Sequence, residues 1–332
     1  MKKPNSAPPL CAARYFAVAL AILASIATLD TVAQGKFPTR AITIVVPYPP
    51  GGSNDNFARA VGKRLGDALQ QSVIIDNRPG AGGSIGTAFV AKSANDGYTL
   101  AAVSSSFATN AAIQPKLPFD AIKSFAPVAM MANGPFVIAV KNELPVKSFA
   151  DFIALAKARP GKLNYASSGP GSINQFATEL LKSAAGIEIA HVPYKGMSPA
   201  TMDLMGGHVD VLLASGPSLL PSIRAGKVRG IGITSPGISA IAADLAPVAE
   251  TVTGYSFALW WGMLAPAGTP PEVVNRLNAE INKILATTEM KEFFLREGAE
   301  SAIVSPAQFS TLIASDIARY QQIAKQASIT LD

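Results

Sequence analysis

The alternation of short apolar runs with helix-periodic segments predicts an α/β protein of two lobes, each a doubly wound, mainly parallel sheet flanked by helices. Two further observations point the same way. The rhythm stops and restarts near the middle of the chain, and clusters of glycine and small polar residues follow the apolar runs. Open α/β sheets present their ligand loops at those strand ends, so a ligand is expected between the lobes.

Ile42-Thr43-Ile44-Val45-Val46 is the first strand-like run. It passes through Pro47-Tyr48-Pro49-Pro50-Gly51-Gly52-Ser53-Asn54-Asp55 into a segment where Phe57, Val61, Leu65 and Leu69 recur at helical spacing. A strand, a glycine turn and a helix start leave unpaired N–H groups at the positive end of the helix dipole, a natural seat for an anion. A phosphate loop would continue Gly-Lys-Ser/Thr, but Gly52 is followed by Ser53-Asn54-Asp55. A carboxylate held by neutral donors fits better. Asp55 is either a ligand contact or a first-turn acid favoured by the dipole, the latter needing no ligand.

Ser72-Val73-Ile74-Ile75-Asp76 reads as the second strand, and Tyr98-Thr99-Leu100-Ala101-Ala102-Val103 as the third, ending in Ser104-Ser105-Ser106. Between them Gly82-Gly83-Ser84-Ile85-Gly86 matches the nucleophile-elbow pattern G-x-S-x-G. An elbow follows its strand directly. Here Asn77-Arg78-Pro79-Gly80-Ala81 intervenes, which favours a glycine loop allowing close backbone approach, and Ile85 stands where a dinucleotide fingerprint needs its third glycine.

The second unit begins with Val137-Ile138-Ala139-Val140. Ser148 with Asp151 forms a capping-box pattern for a helix that stops before Pro160-Gly161. Leu163-Asn164-Tyr165-Ala166 then leads into Ser167-Ser168-Gly169-Pro170-Gly171-Ser172, a second glycine turn, and Val209-Asp210-Val211-Leu212-Leu213-Ala214 ends likewise at Ser215-Gly216-Pro217. The tail is helical. Thr269-Pro270-Pro271-Glu272 and Ser305-Pro306-Ala307-Gln308 each offer a cap residue, an N1 proline and an acid or amide at N3. Val274, Leu277, Ile281 and Ile284 form one apolar face, and Phe309, Ile313, Ile317 and Tyr320 another, both expected to pack on the first lobe. Trp260-Trp261 is read as packing, with one of the pair free to reach a pocket.

Composition excludes several classes. With 49% hydrophobic and 15% charged residues in 332, neither disorder nor a fibre fits. The net charge of +6 is unclustered, which gives nucleic-acid binding little support; it suits an anionic small ligand or reports solubility alone. Lys2, Lys3 and Arg14, an apolar stretch over residues 15–29, and Thr31-Val32-Ala33 form a secretory signal peptide over residues 1–33. The apolar stretch is too short to span a bilayer, so an exported protein not embedded in the membrane is expected. Cleavage after Ala33 removes Cys11, the only cysteine, leaving neither a disulfide nor a thiol nucleophile. His191 and His208 are the only histidines and lie at no metal spacing, so metal, cofactor and enzyme activity are not expected.

Several stretches resemble the Bug family, the periplasmic receptors of tripartite tricarboxylate transporters. They are Val45-Val46 with Pro47 through Asp55, Asp76-Asn77-Arg78-Pro79-Gly80-Ala81-Gly82-Gly83, and Asp96-Gly97-Tyr98-Thr99-Leu100. Later come Pro160-Gly161-Lys162-Leu163-Asn164-Tyr165-Ala166-Ser167, His191-Val192-Pro193-Tyr194-Lys195-Gly196 and Leu264-Ala265-Pro266-Ala267-Gly268-Thr269-Pro270. The resemblance implies a type II periplasmic-binding-protein fold that hinges shut on a carboxylate. It implies lobe 1 over residues 34–135 and 256–332, lobe 2 over 136–255, and hinges near 131–136 and 255–260. One ligand carboxylate would meet Tyr48, Gly51, Gly52, Ser53, Asn54 and Asp55. The other end would meet Ser104, Ser105, Ser167, Ser168, Gly169, Ser172, Tyr194, Ala214 and Ser215.

Members of that family often carry Phe-Asp-Asn where Leu213-Ala214-Ser215 stands here, and a histidine where Ser106-Phe107 stands. Loss of the acid argues for a non-amino mono- or dicarboxylate, and the apolar substitution admits an aromatic or alkyl body. Expected partners are the ligand and the membrane components of a tripartite tricarboxylate transporter, with the receptor a monomer. A solute sensor docking on a histidine-kinase ectodomain and a serine hydrolase built on Ser84 are the alternatives.

Overall fold

The computed structural model describes residues 37–330. The leader and Cys11 lie outside the described residues. The first strand β1 (Ile42–Val46) is followed by α1 (Ser53–Leu69), β2 (Val73–Asn77), α2 (Ser84–Ala91), β3 (Thr99–Ser104) and α3 (Ser106–Ile113). A long strand β4 (Phe125–Val140) leads to α4 (Phe149–Ala158), β5 (Asn164–Ser167), α5 (Ile173–Ala185), β6 (Ala190–Pro193), α6 (Met197–Met205), β7 (Val211–Ser215), α7 (Gly216–Arg224) and β8 (Arg229–Ile233). The chain returns through β9 (Ala258–Pro266) to α8 (Pro271–Ala286), α9 (Thr288–Arg296), β10 (Glu300–Ser301) and α10 (Pro306–Ala327).

These elements form two lobes. In the first, β1 pairs in parallel with β2 and β3, and its apolar run is buried on both faces because helices cover both sides. In the second, β5 pairs in parallel with β6 and β7. The expected parallel sheets are therefore present, but they are joined by antiparallel strands: β9 pairs with β3 and β4, and β4 pairs with β7, β8 and β10. Each lobe thus has a mixed sheet.

The strand β4 serves both sheets because bulges bend it. Its register against β9 shifts between Pro127 and Ala129 and again between Met130 and Ala132, and against β8 between Ile138 and Ala139. Each extra residue turns the strand and increases its twist. The β9 ladder ends at Pro135↔Ala258, and the β7 ladder starts at Phe136↔Ser215. Buried Thr234 ties the two crossing strands together. Its hydroxyl accepts from Phe136 N at 2.8 Å and donates to Phe257 O at 2.6 Å.

The helix faces pack as their spacing predicts. Phe57, Val61, Leu65 and Leu69 of α1, Val274, Leu277, Ile281 and Ile284 of α8, and Phe309, Ile313, Ile317 and Tyr320 of α10 are all buried. The helix α10 also reaches the second lobe, where Tyr320 lies 5.4 Å from Phe176, ring to ring. Capping boxes form at Ser148/Asp151 and Ser305/Gln308. At α8 the expected cap is absent: the Thr269 hydroxyl donates to Pro266 O at 2.8 Å, and the helix starts after Pro270. Both tryptophans are core residues, Trp261 edge-on to Phe57 and Trp260 bonded through Nε1 to buried Asp316 at 2.8 Å.

Candidate functional site

The loop from β1 to α1 is held open by its own side chains. Gly51 has φ +88°, a conformation for which glycine is suited, and its N–H donates to Asp55 Oδ2 at 2.9 Å. Arg59 and Asn77 complete the cradle: Arg59 Nη2 lies 2.9 Å from Asp55 Oδ1, and Asn77 Nδ2 donates to Asp55 Oδ1 at 3.0 Å and to Tyr48 O at 3.1 Å. Asp55 therefore shapes the turn and meets protein groups on both oxygens. Burial would raise its carboxyl, but hydrogen bonds from Arg59, Gly51 and Asn77 hold it below the usual carboxylate range.

The sign of its pH dependence follows from that depression. A carboxyl lowered in the folded state stabilises above the unfolded carboxylate range, and the stabilisation is lost as pH falls through the folded value. Asp55→Asn is expected to reduce stability at pH 7 by about 2 kcal/mol, kept modest because Arg59 is half-exposed. Denaturant unfolding between pH 7 and pH 2 checks this. The wild-type and Asp55→Asn curves converge at the acid end if Asp55 carries the effect.

Tyr48 fastens the same loop to the next two. Its ring lies on Gly83, where an added Cβ would stand 3.2 Å from Tyr48 Cζ and Oη, and its hydroxyl bonds with Ser104 and Ser106. Burial pushes this phenol up, against those two hydrogen bonds, so it stays a neutral donor. Ser104 also bonds to Asn54 Nδ2 at 3.4 Å. Asn54 is 8% exposed, and its Oδ1 has no partner. Because a serine hydroxyl donates as well as accepts, the Asn54 amide can present either edge to a ligand or water. Ser105 is different. It is fully buried, and its Oγ accepts from Trp260 N at 2.8 Å, so it joins β3 to β9.

In the second lobe, most predicted polar groups organise their own loop. Ser167 Oγ lies 2.7 Å from His191 Nε2 and accepts from Gly169 N at 3.1 Å. Ser168 Oγ donates to Asn174 Oδ1 at 3.0 Å, and Asn174 Nδ2 donates to Leu213 O at 2.7 Å. Tyr194 donates to Asp203 Oδ2 at 2.6 Å, and burial, with that hydrogen bond, pushes its phenol up to about 12. Ser172 Oγ is buried without a partner, and Ala214 is fully buried in the core. Ser215 starts α7 and pairs its hydroxyl with Ser218 at 3.2 Å.

The lobes meet over a cleft of about 490 Å³. Of the predicted residues it brings together Gly51, Gly52 and Ser53 from the first lobe with Ser215 from the second. The others form the walls behind these or the supports of the loops. Sequence reasoning missed Met197, Ser198, Thr201 and Met202, which α6 contributes, and Glu297 at the end of α9. A signal existed for α6: Gly196 precedes Met197 in the same strand, glycine and helix order as the other two loops.

Three helices, α1, α6 and α7, place first-turn residues on the cleft, and none has a side-chain cap. The exposed starts of α4 and α10 carry full capping boxes. Uncapped N–H groups and positive dipole ends on both sides of one cleft favour an anion. No cleft-lining residue is a cation. Ser84 begins α2, while His191 bonds to Ser167 and contacts Gln175, and His208 lies against Gly206, so no histidine is placed beside Ser84 as a base. Burial also lowers His191 from its ordinary value. Among the described residues, no group of three His, Cys, Asp or Glu could hold a metal ion, and no helix is long and apolar enough to cross a membrane.

Comparison with known proteins converges on one family. The family model of the tripartite tricarboxylate transporter family receptor matches residues 57–329. The protein BugT of Bordetella pertussis is 36% identical over 323 residues, covering 96% of this chain and 98% of its own. The solved structure of R. palustris Rpa4515 with adipate aligns with a TM-score of 0.79 at 36% identity, over 89% of this chain and 99% of that one. MatC (Rpa3494) from Rhodopseudomonas palustris with bound malate aligns with a TM-score of 0.74 at 29% identity, over 86% of this chain and 99% of that one.

Proposed function

Because the chain belongs to the tripartite tricarboxylate transporter receptor family, we propose that it captures a small carboxylate between its lobes and delivers it to the membrane components of such a transporter. The observation that carries this proposal is the cleft itself, with uncapped helix starts on both sides and no cation among its lining residues. Such a site holds an anion through neutral donors and helix dipoles. Neutral donors desolvate at lower cost than an arginine–carboxylate pair, which suits capture followed by release. The two relatives solved with adipate and with malate support a carboxylate as the ligand class.

One carboxylate binds at Gly51, Gly52 and Ser53, with Asn54 behind them presenting its free amide edge. Tyr48 and Ser104 hold that edge in place. Ser215 and the start of α6 close from the second lobe, and the free hydroxyl of Ser172 accepts or donates to water or ligand deeper in. Among the described residues lobe 1 comprises 40–135 and 256–330 and lobe 2 residues 136–255, with the hinges in the crossing strands. The receptor works outside the cytoplasmic membrane, its leader removed after Ala33.

Titration calorimetry and X-ray scattering test this together. A small carboxylate is expected to bind and to shrink the radius of gyration, and Asn54→Ala is expected to weaken that binding about tenfold. Identical scattering with and without a bound acid, or failure of every mono-, di- and tricarboxylate to bind, would overturn it.

A further inference from the structure

Glu297 is the one ionised group among the residues lining the cleft. It is partly buried, and its carboxylate has no hydrogen-bond or ion-pair partner among the described residues. Arg296, next to it in sequence, lies 3.9 Å from Glu292 and does not line the cleft. The backbone fixes where Glu297 stands. Gly298 follows with φ +66° and packs so closely on the second lobe that an added Cβ would meet Gly216 Cα and Pro217 Cδ at 2.8 Å. Glu297 is therefore held at the junction of the lobes, beside the start of α7, on the same cleft that the first-lobe loop lines.

We infer that Glu297 is a specificity residue that disfavours a second carboxylate on the ligand and favours a far end bearing a hydrogen-bond donor or a cation. The inference rests on the carboxylate reading of the site. Uncapped helix starts can accept one carboxylate, but a second one extending toward α7 meets a like charge with no cation between them. Partial burial weakens screening, so the repulsion persists at physiological ionic strength. The remaining wall is compatible with a short chain carrying a neutral or cationic end. Met197 and Met202 supply apolar surface, and Ser198, Thr201 and Ser218 supply hydroxyls that donate as readily as they accept. The absence of an acid at Leu213-Ala214-Ser215 thus does not exclude an amine, because Glu297 brings an acid to that edge of the cleft from the other lobe.

The test uses the mature chain and straight-chain acids of three to eight carbons, each bearing a methyl, hydroxyl, ammonium or carboxylate at the far end. Calorimetry is run on the wild type and on Glu297→Gln, whose fold is checked by thermal denaturation without ligand. At the preferred length, the wild type is expected to bind the hydroxyl- or ammonium-ended acid about tenfold more tightly than the dicarboxylate. Glu297→Gln is expected to close most of that gap, chiefly by tightening the dicarboxylate. Tightest wild-type binding of the dicarboxylate, or an unchanged gap in Glu297→Gln, overturns the inference while leaving the carboxylate reading intact. Failure of every acid to bind overturns both.

Discussion

Replacing Gly216 by Ala is expected to leave the lobes folded and to weaken carboxylate binding roughly ten- to hundredfold. Gly216 opens α7 in the second lobe, and an added Cβ would stand 2.9 Å from Gly298 Cα in the first. Both sides of that contact are backbone, so no side chain can rotate away. The strain is relieved only by separating the lobes. Gly216 does not have a positive φ, alanine at a helix start does not weaken the helix, and the other close neighbour, Leu220 Cδ1 at 3.2 Å, is the end of a flexible side chain that can turn aside, so the lobe contact dominates the effect.

Gly298→Ala should act in the same direction with an added local term. Its Cβ would meet Gly216 Cα and Pro217 Cδ at 2.8 Å and Pro217 N at 3.0 Å, and φ +66° adds about 1 kcal/mol of strain for any residue with a Cβ. If binding draws on the closed state, both variants lose affinity in proportion to the closed fraction they lose. Scattering gives the independent measure, because each variant should have a larger radius of gyration at saturating acid. Wild-type affinity and compaction in Gly216→Ala would show that the glycine contact does not govern closure.

The parts of this structure that local periodicity governs were legible in the sequence. Leu65 and Leu69 lie on the buried face of α1, and Ser148 and Ser305 cap their helices, because each of these features is decided within a few residues. The first-lobe loop was legible for the same reason, since its strand, glycines and helix are contiguous. Long-range pairing was not. The crossing near 131–136 was expected, but not that one strand, β4, runs straight through it, because β9 and β10 supply partners there from distant parts of the chain. Ser105 looked like Ser104 in sequence, and only its position opposite Trp260 separates a strand-joining hydroxyl from one that supports the ligand loop. Glu297 carries no local sign of a binding role, since it reaches the cleft through the packing of Gly298 on Gly216.

The core of the first lobe predicts the largest loss of stability. Gly262 on β9 lies directly beneath Phe309 of α10, and an added Cβ would stand 2.3 Å from Phe309 Cζ, 2.6 Å from Cε1 and 2.9 Å from Ala129 O. Phe309 is fully buried and edge-on to Trp260 with ring centroids 5.2 Å apart, so the ring cannot slide aside without displacing the indole that bonds to Asp316. Overpacking against a ring and a carbonyl at once is expected to destabilise Gly262→Ala by about 3 kcal/mol, a fall in Tm of roughly 6–10 °C. The cause can be separated from a general intolerance of β9 by a double-mutant cycle. Phe309→Leu alone leaves a void and destabilises, but in combination with Gly262→Ala the smaller side chain makes room for the new methyl. The pair is expected to be more stable than the sum of the singles by at least about 1 kcal/mol, whereas strict additivity would place the damage outside the Gly262–Phe309 contact.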